Sequence, residues 1–176
     1  MNMCKSVYFF SEKKIGIGER IAPMHNNSDG WSEFKTRMEK VLERVRQSEE
    51  HFSDYPSRYY CHYLAATEKS ANEWFKTIKI STWRNQHSPL VYYLYKVSLH
   101  HSIKWFDAKI LLDFRFMNVN HYDDIAHRYW NSAHDESICG NEDEEGLTDA
   151  EITIIERKKM EINSEGNYHE VNEEYM

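Results

Sequence analysis

Long apolar runs are missing from this chain of 176 residues, and cysteine, proline and glycine are scarce. The longest apolar stretch, residues 89–95, is far shorter than the ~20 residues of a membrane-spanning helix, so no transmembrane segment is expected. The first residues lead into only three or four apolar positions with no small-residue cleavage site after them, unlike a secretory signal. The sequence therefore predicts a cytoplasmic protein. Three widely spaced cysteines, an odd number, favour free thiols over a disulfide framework or a metal knuckle.

The composition is that of a folded domain. Hydrophobic residues make up 40% of the chain and aromatic residues 14%, too much for wholesale disorder. A chain of this length corresponds to one domain and can bury a core without disulfides or a structural metal. We expect a single domain over residues 1–160, followed by a mobile acidic tail over residues 161–176.

Negative charge is concentrated toward the C-terminus. Residues 135–176 contain 14 Asp or Glu against three basic residues, whereas residues 1–134 have a net charge of +4. Such asymmetry is typical of a solvating tail or of a segment that contacts a basic partner. Residues 135–149, with seven carboxylates and no cation, are interpreted as an internal acidic loop.

Hydrophobic periodicity predicts strands that alternate with helices. Ser32 is the expected N-cap of the clearest helix, which ends before Pro56 and whose charged face, Glu39 included, is interpreted as solvated. Thr67 caps a second helix. The other segments are strands over residues 6–10, 58–66, 89–98 and 151–158, a helix over 120–133 with Trp130 at its margin, and residues 105–116, for which strand and helix both fit. This order favours an α+β fold.

The spacing of the ten histidines does not predict a metal site. His100 and His101 are adjacent, and His121 and His127 are six apart, so neither pair has the spacing of HExxH-type ligation. No GxSxG motif marks a serine nucleophile. The carboxylates at residues 142–145 are interpreted as hydrated charges rather than as a tuned acid–base pair.

One short segment combines side chains that suit a dinucleotide. Arg58, Tyr59, Tyr60 and His62 lie within five residues. A guanidinium pairs bidentately with phosphate, and tyrosine faces stack on a base or on a nicotinamide ring. The structural alternative places Tyr59 and Tyr63 in the core and pairs Arg58 with a nearby carboxylate.

The order of several segments resembles a little-characterised bacterial and phage family that is thought to share the ADP-ribosyltransferase-like fold. The resemblance spans roughly residues 6–160 and is carried by SVYFFSEKKIGIGERI, YPSRYYCHYLAATEKSANEWF, IAHRYWNS and EGLTDAEITIIE. It implies split, twisted small sheets that hold NAD in the cleft between them. It also implies a glutamate near the start of a late strand that holds the nicotinamide ribose, for which Glu151 is the first candidate and Glu145 the second. The His or Arg that such transferases carry on the first strand is missing, and the nearest substitutes are Ser11 and Arg20.

Two classes of function follow. The first is an ADP-ribosyltransferase-like enzyme that binds NAD and transfers ADP-ribose to a protein or nucleic acid, in a host cytoplasm if the protein is phage-encoded. The second is a non-enzymatic acidic protein, such as a phage-type inhibitor, whose C-terminal region occupies the basic groove of a host nucleic-acid-binding or defence protein. A weaker third reading is RNA or DNA contact through Tyr59, Tyr60, Tyr92 and Tyr93. The enzyme hypothesis requires a cation, an aromatic ring and a late carboxylate to converge on one open cleft.

Overall fold

The computed structural model describes residues 6–26, 31–83, 89–101, 103–135 and 140–173. The strands are β1 (Val7–Ser11), β2 (Arg20–Ile21), β3 (His62–Ala65), β4 (Leu90–Leu99), β5 (Lys104–Asp107), β6 (His134–Asp135), β7 (Glu144–Thr148), β8 (Ile152–Ile162) and β9 (Tyr168–Val171). The helices are α1 (Glu33–Ser48), α2 (Glu68–Trp83), α3 (Asp113–Phe116) and α4 (Tyr122–Asn131), with short 3-10 turns at Glu50–Phe52, Ala108–Leu112 and Val119–His121.

The described strands form one antiparallel sheet in the order β2-β8-β4-β1-β3-β7-β5-β6, with β9 on the same edge of β8 as β2. Strand β4 pairs with β8 over ten residues, and β1 pairs with β4 over five. Between β1 and β3 the register contains the single pair Tyr8 and Ala65. The α+β class is confirmed, and the sheet consists of two well-paired halves that meet at this one pair, which we call the seam.

Both predicted N-caps are confirmed. The Ser32 side chain accepts a hydrogen bond of 3.1 Å from the Lys35 backbone N–H, and Thr67 Oγ1 accepts one of 3.0 Å from that of Ser70. Each cap satisfies a donor that the first helical turn leaves without a partner. Caps with local partners are the part of a helix that sequence alone predicts best.

The core has three clusters, of which the first and third lie on one face of the sheet and the second on the other. The first packs α1 and α4 on the β3–β7–β5 half around residues such as Leu42 and Trp130. Trp130 is fully buried, not marginal as expected, and its indole Nε1 donates to the Leu42 carbonyl at 2.9 Å. The second cluster packs the two halves of the sheet together, and the third packs α2 on the other half through the stacked rings of Phe75 and Tyr92, 4.0 Å apart.

The acidic C-terminal region is part of the sheet. Strand β7 lies inside the expected acidic loop over residues 135–149 and is buried along its whole length. The expected tail over 161–176 also differs, because β8 continues to Ile162 and residues 163–167 turn back into β9, with Gly166 at φ +83°. The hairpin buries Met160 and Ile162 in the core and also pairs charges: Glu173 accepts from Arg157 at 2.9 Å, and Lys158 lies 4.0 Å from Glu170.

Two further segments differ from their sequence interpretation. Residues 58–61 form a turn and not the start of a strand, and the Tyr60 N–H donates to the Ser57 carbonyl at 3.0 Å. Residues 105–116 contain both alternatives, since the end of β5 is followed by a 3-10 turn and by α3. In the described part of the chain, no helix has both the length and the apolar character needed to cross a bilayer.

Candidate functional site

A cavity of about 750 Å³ lies beside the seam, where β1 and the segment that leads into β3 diverge. Its walls come from β1, from α1, from the exposed side of α2 and from residues 58–63, and Glu145 of β7 also lines it. Volumes of this order are usual for sites that enclose a small molecule or a cofactor. The one-pair seam thus positions the cavity.

Arg58 joins four elements at this cavity. Its guanidinium donates from Nε and Nη2 to the two carboxylate oxygens of Glu39 in α1, at 2.8 and 3.0 Å. Its Nη1 donates to the Tyr129 hydroxyl in α4 at 2.6 Å and to Oε1 of Glu145. Arg58 is 4% exposed, Glu39 2% and Glu145 8%. We call Glu39, Arg58, Tyr129 and Glu145 the arginine cluster.

The two carboxylates outnumber the guanidinium in this buried cluster. Burial acts to lower the pKa of Arg58, but Glu145 and Glu39 outweigh it and raise that pKa well above its ordinary value. Burial is also the main reason why the pKa of Tyr129 lies well above its usual range, so the phenol stays protonated as a donor. Two carboxyl groups and one guanidinium give the cluster a formal charge of −1 beside the cavity.

Glu145 is anchored through one oxygen only. The Tyr129 hydroxyl donates to Oε1 at 2.5 Å, and Arg58 donates to the same atom. Among the described residues, none donates a hydrogen bond to Oε2. Glu145 therefore has a fixed orientation and one oxygen still able to accept a hydrogen bond from a ligand.

The backbone at Arg58 is fixed independently of its side chain. The Arg58 carbonyl accepts from the Tyr63 hydroxyl at 2.6 Å and from the Asn26 side-chain amide at 2.9 Å. Burial raises the pKa of the Tyr63 phenol well above its usual value, which keeps it a donor. Burial also raises the pKa of the adjacent Cys61 thiol to about 12, so this cysteine is not a nucleophile at neutral pH.

The cavity walls are mainly apolar, and cations lie at the mouth. Phe9 contacts the His62 ring edge-on at 5.8 Å, and burial lowers the pKa of His62, so this ring is neutral at pH 7. At the mouth, the Lys35 ammonium lies 4.8 Å from the centre of the Trp31 ring, and Lys13 is exposed on the β1 side. Burial lowers the pKa of Lys35 although the carboxylates of Glu39 and Glu145 act to raise it.

The structure brings together some of the residues that the sequence singled out. Ser11, Arg58, His62 and Glu145 all line the cavity. A cation, aromatic rings and a late carboxylate do converge there, with Glu145 and not Glu151 as the carboxylate. Glu151 is half exposed outside the cavity, and its Oε2 lies 3.7 Å from Arg20 Nε.

Tyr59 and Tyr60 are not among the residues that line the cavity. Tyr59 packs against Trp31 at 5.9 Å, whereas the ring of Tyr60 lies 6.0 Å from that of His25 and is 46% exposed. The turn at residues 57–60 is the reason, because it directs the Arg58 side chain inward without the strict alternation of a strand. Tyr92 is fully buried, so it offers no stacking surface to a nucleic acid.

Sequence analysis missed the role of two members of the arginine cluster. Glu39 was assigned to the solvated face of α1, yet it lies three residues before buried Leu42 and six before buried Val45. Tyr129 lies in the helix predicted over residues 120–133, and the apolar pattern there gives no sign of its polar role. The position of Glu39 on the buried stripe of α1 is the signal that could have identified it, because a buried glutamate needs a buried partner.

Within the described residues, no three or more His, Cys, Asp or Glu side chains are arranged to hold a metal ion. Comparison with curated proteins finds no match to the chain. The model of a family described as a protein of unknown function, DUF2441, matches residues 12–172 and so includes every member of the arginine cluster. The match covers most of the chain, which therefore belongs to the DUF2441 family.

Proposed function

We propose that this protein is an ADP-ribosyltransferase-like enzyme that binds NAD in the cavity at the seam and transfers ADP-ribose to a protein or nucleic acid. The observation that carries the proposal is the state of Glu145, whose Oε1 is held by Arg58 and Tyr129 while Oε2 has no donor among the described residues. A ribose hydroxyl is the type of group that such an oxygen accepts. The division of the sheet at one residue pair agrees with the split sheets implied by the family resemblance.

The reaction breaks the bond between the ribose carbon C1′ and the nicotinamide nitrogen, and the bonding electron pair leaves with nicotinamide. A nucleophilic atom of the acceptor then bonds to C1′ and gives up its proton. Positive charge grows on the ribose as this bond breaks. A fixed carboxylate beside the ribose, in a cluster with one excess negative charge, stabilises that charge more in the transition state than in the ground state.

Arg58 has a different role from the one that its sequence context suggested. Four hydrogen bonds to Glu39, Glu145 and Tyr129 occupy its guanidinium, which leaves little capacity to bind a phosphate. We assign Arg58 to the orientation of Glu145. We assign contact with the pyrophosphate to Lys13 and Lys35, two cations that line the cavity.

The alternative of an acidic interaction protein draws less support from the charges. Several carboxylates of the C-terminal region pair within the chain: Glu142 with Lys69, Asp143 with Lys109, Glu144 with His134, and Glu173 with Arg157. Carboxylates that are paired internally contribute less to binding a basic partner. We therefore retain the enzyme as the proposal.

The test compares wild type with Glu145→Gln and, as a matched control, Glu151→Gln. Each protein is incubated with NAD labelled in its adenylate half and a host lysate, and nicotinamide release, label transfer and the shift in Tm with NAD are measured. We expect wild type and Glu151→Gln to bind and cleave NAD. Glu145→Gln should bind NAD but release nicotinamide about 100- to 1,000-fold more slowly. Wild type that shows neither a Tm shift nor release, or Glu145→Gln that is as active as wild type, overturns the proposal.

A further inference from the structure

Glu39 occupies an unusual position for a helical carboxylate. Helix α1 carries other acidic residues that are exposed or half-buried, such as Glu33 and Glu43, whereas Glu39 is 2% exposed. Both of its oxygens are engaged by the same guanidinium, that of Arg58. Glu39 lines the cavity as Glu145 does, but Arg58 donates to both of its oxygens, so we assign its function to its effect on Arg58.

We infer that Glu39 is a positioning residue that prevents Arg58 from occupying both oxygens of Glu145. The inference rests on the proposed function for its consequence in catalysis, but its structural content is independent of NAD. Glu39 takes the edge of the guanidinium formed by Nε and Nη2. Only Nη1 then reaches Glu145, and it contacts Oε1.

The planarity of the guanidinium makes this effect possible. Arginine presents its donors in a rigid fork, and two parallel hydrogen bonds to one carboxylate are its preferred geometry. Two carboxylates compete here for one fork, and Glu39 has the bidentate position. Without the Glu39 carboxylate, Glu145 would be the one remaining carboxylate on Arg58, and a bidentate pair would use Oε2 as well as Oε1.

The arginine cluster has two carboxylates, those of Glu39 and Glu145, for one guanidinium, which is more than the fold needs. One glutamate is enough to neutralise one buried arginine, and a second buried anion costs desolvation free energy. The chain retains both at a cavity wall. The second anion keeps the cluster negative and keeps Oε2 of Glu145 available.

The test uses Glu39→Gln, which preserves size and removes the charge. The matched control is Glu43→Gln, one turn further along α1, where Glu43 pairs bidentately with Arg46 at 2.7 and 3.1 Å and does not line the cavity. Tm, NAD affinity and the rate of nicotinamide release are measured for each protein. We expect release by Glu39→Gln to fall about 10- to 100-fold with little change in NAD affinity, whereas Glu43→Gln keeps the wild-type rate.

A crystal structure of Glu39→Gln gives a readout that needs no activity. The inference expects Arg58 to contact both oxygens of Glu145 in this variant, and it is overturned if Arg58 still contacts Oε1 alone. Equal loss of release in both variants overturns it as well. If wild type does not bind or cleave NAD, the proposed function fails while the crystal structure still decides the inference.

Glu39→Asp serves if Glu39→Gln does not fold. Its shorter carboxylate keeps the charge but cannot reach both Nε and Nη2 without moving the guanidinium. We expect Glu39→Asp to release nicotinamide at a rate between those of wild type and Glu39→Gln. If Glu39→Gln cannot be measured, the expected rate for Glu39→Asp is below that of wild type. A wild-type rate for Glu39→Asp overturns the bidentate role, because this carboxylate cannot hold both Nε and Nη2 of Arg58 in their present positions.

Discussion

The Tyr129 hydroxyl of α4 donates a hydrogen bond of 2.5 Å to Oε1 of Glu145 in β7. Tyr129 is fully buried, and its ring stacks on that of Phe106 with 5.1 Å between ring centres. The hydroxyl position is therefore set by core packing. The orientation of a carboxylate in the cavity therefore depends on the rigid interior between α4 and the sheet.

Tyr129→Phe is expected to lower stability and activity together. The variant loses the acceptor of one Arg58 hydrogen bond and a donor to Glu145. The expected loss of unfolding free energy is about 1–3 kcal/mol, measured by denaturant titration. Tyr122→Phe is the control, because the Tyr122 hydroxyl is a buried donor on the same helix, to the Phe114 carbonyl at 3.1 Å, outside the cavity. Equal NAD turnover in the two variants would contradict a role for Tyr129 in orienting Glu145.

Arg58→Met is expected to be among the most destabilising single substitutions. It removes the cation and leaves two buried carboxylates without their main partner. Removing one partner of a buried ion pair typically costs about 3–5 kcal/mol. Arg44→Met breaks an exposed pair with Asp123 and should cost about 1 kcal/mol or less. Chemical denaturation of both variants measures the difference in unfolding free energy. Similar losses in the two variants would show that the ion pairs of the arginine cluster do not stabilise the fold more than an exposed ion pair does.

NAD affinity is expected to decrease as the pH becomes alkaline. The decrease should begin at a lower pH than the one at which an ordinary lysine loses its proton. In the proposed function, Lys35 attracts the pyrophosphate only while it is protonated, and burial lowers its pKa. As pH rises through this lowered pKa, the ammonium loses its proton and the attraction to phosphate is lost. Isothermal titration over a pH series measures the effect. Lys35→Ala should flatten the pH dependence, and Lys40→Ala, an exposed lysine on the same helix, should leave it unchanged.

Cys61 is expected to resist alkylation in the folded protein. Its thiol is buried, and its pKa of about 12 leaves almost no thiolate at pH 8. Iodoacetamide labelling followed by mass spectrometry of the Cys61 peptide should show modification after denaturation and little before it. Rapid labelling in native buffer would show that the turn at residues 58–61 opens on the timescale of the experiment.

The local features of the fold were predictable from the sequence. Ser32 and Thr67 cap their helices through partners three residues away, and the buried stripe of α1 follows its apolar spacing. Strand β7 was not predictable in the same way, because Glu144 and Glu145 give it the composition of a loop. Their burial depends on partners that lie far away in the sequence or on another strand, such as Arg58 and His134.

The candidate site was predictable only in part, because some of its contacts join residues that lie far apart in the sequence. The cation Arg58 and the alternative carboxylate Glu145 were both identified from the sequence. The family resemblance ranks Glu151 before Glu145, whereas Glu145 is the one that lines the cavity. The sequence does not reveal this, since both lie near the start of a late strand and only the sheet order separates them. The contribution of Glu39 depends on a contact over 19 positions of the chain, which no local pattern encodes.

The seam between Tyr8 and Ala65 also affects what the main chain offers to a ligand. Beyond that pair, β1 and β3 separate, so peptide groups that face the opening lack the ladder partners that other strands have. Substitution of a side chain at the opening does not remove the main-chain amide and carbonyl of the same residue, so these polar groups persist in any variant that keeps the fold.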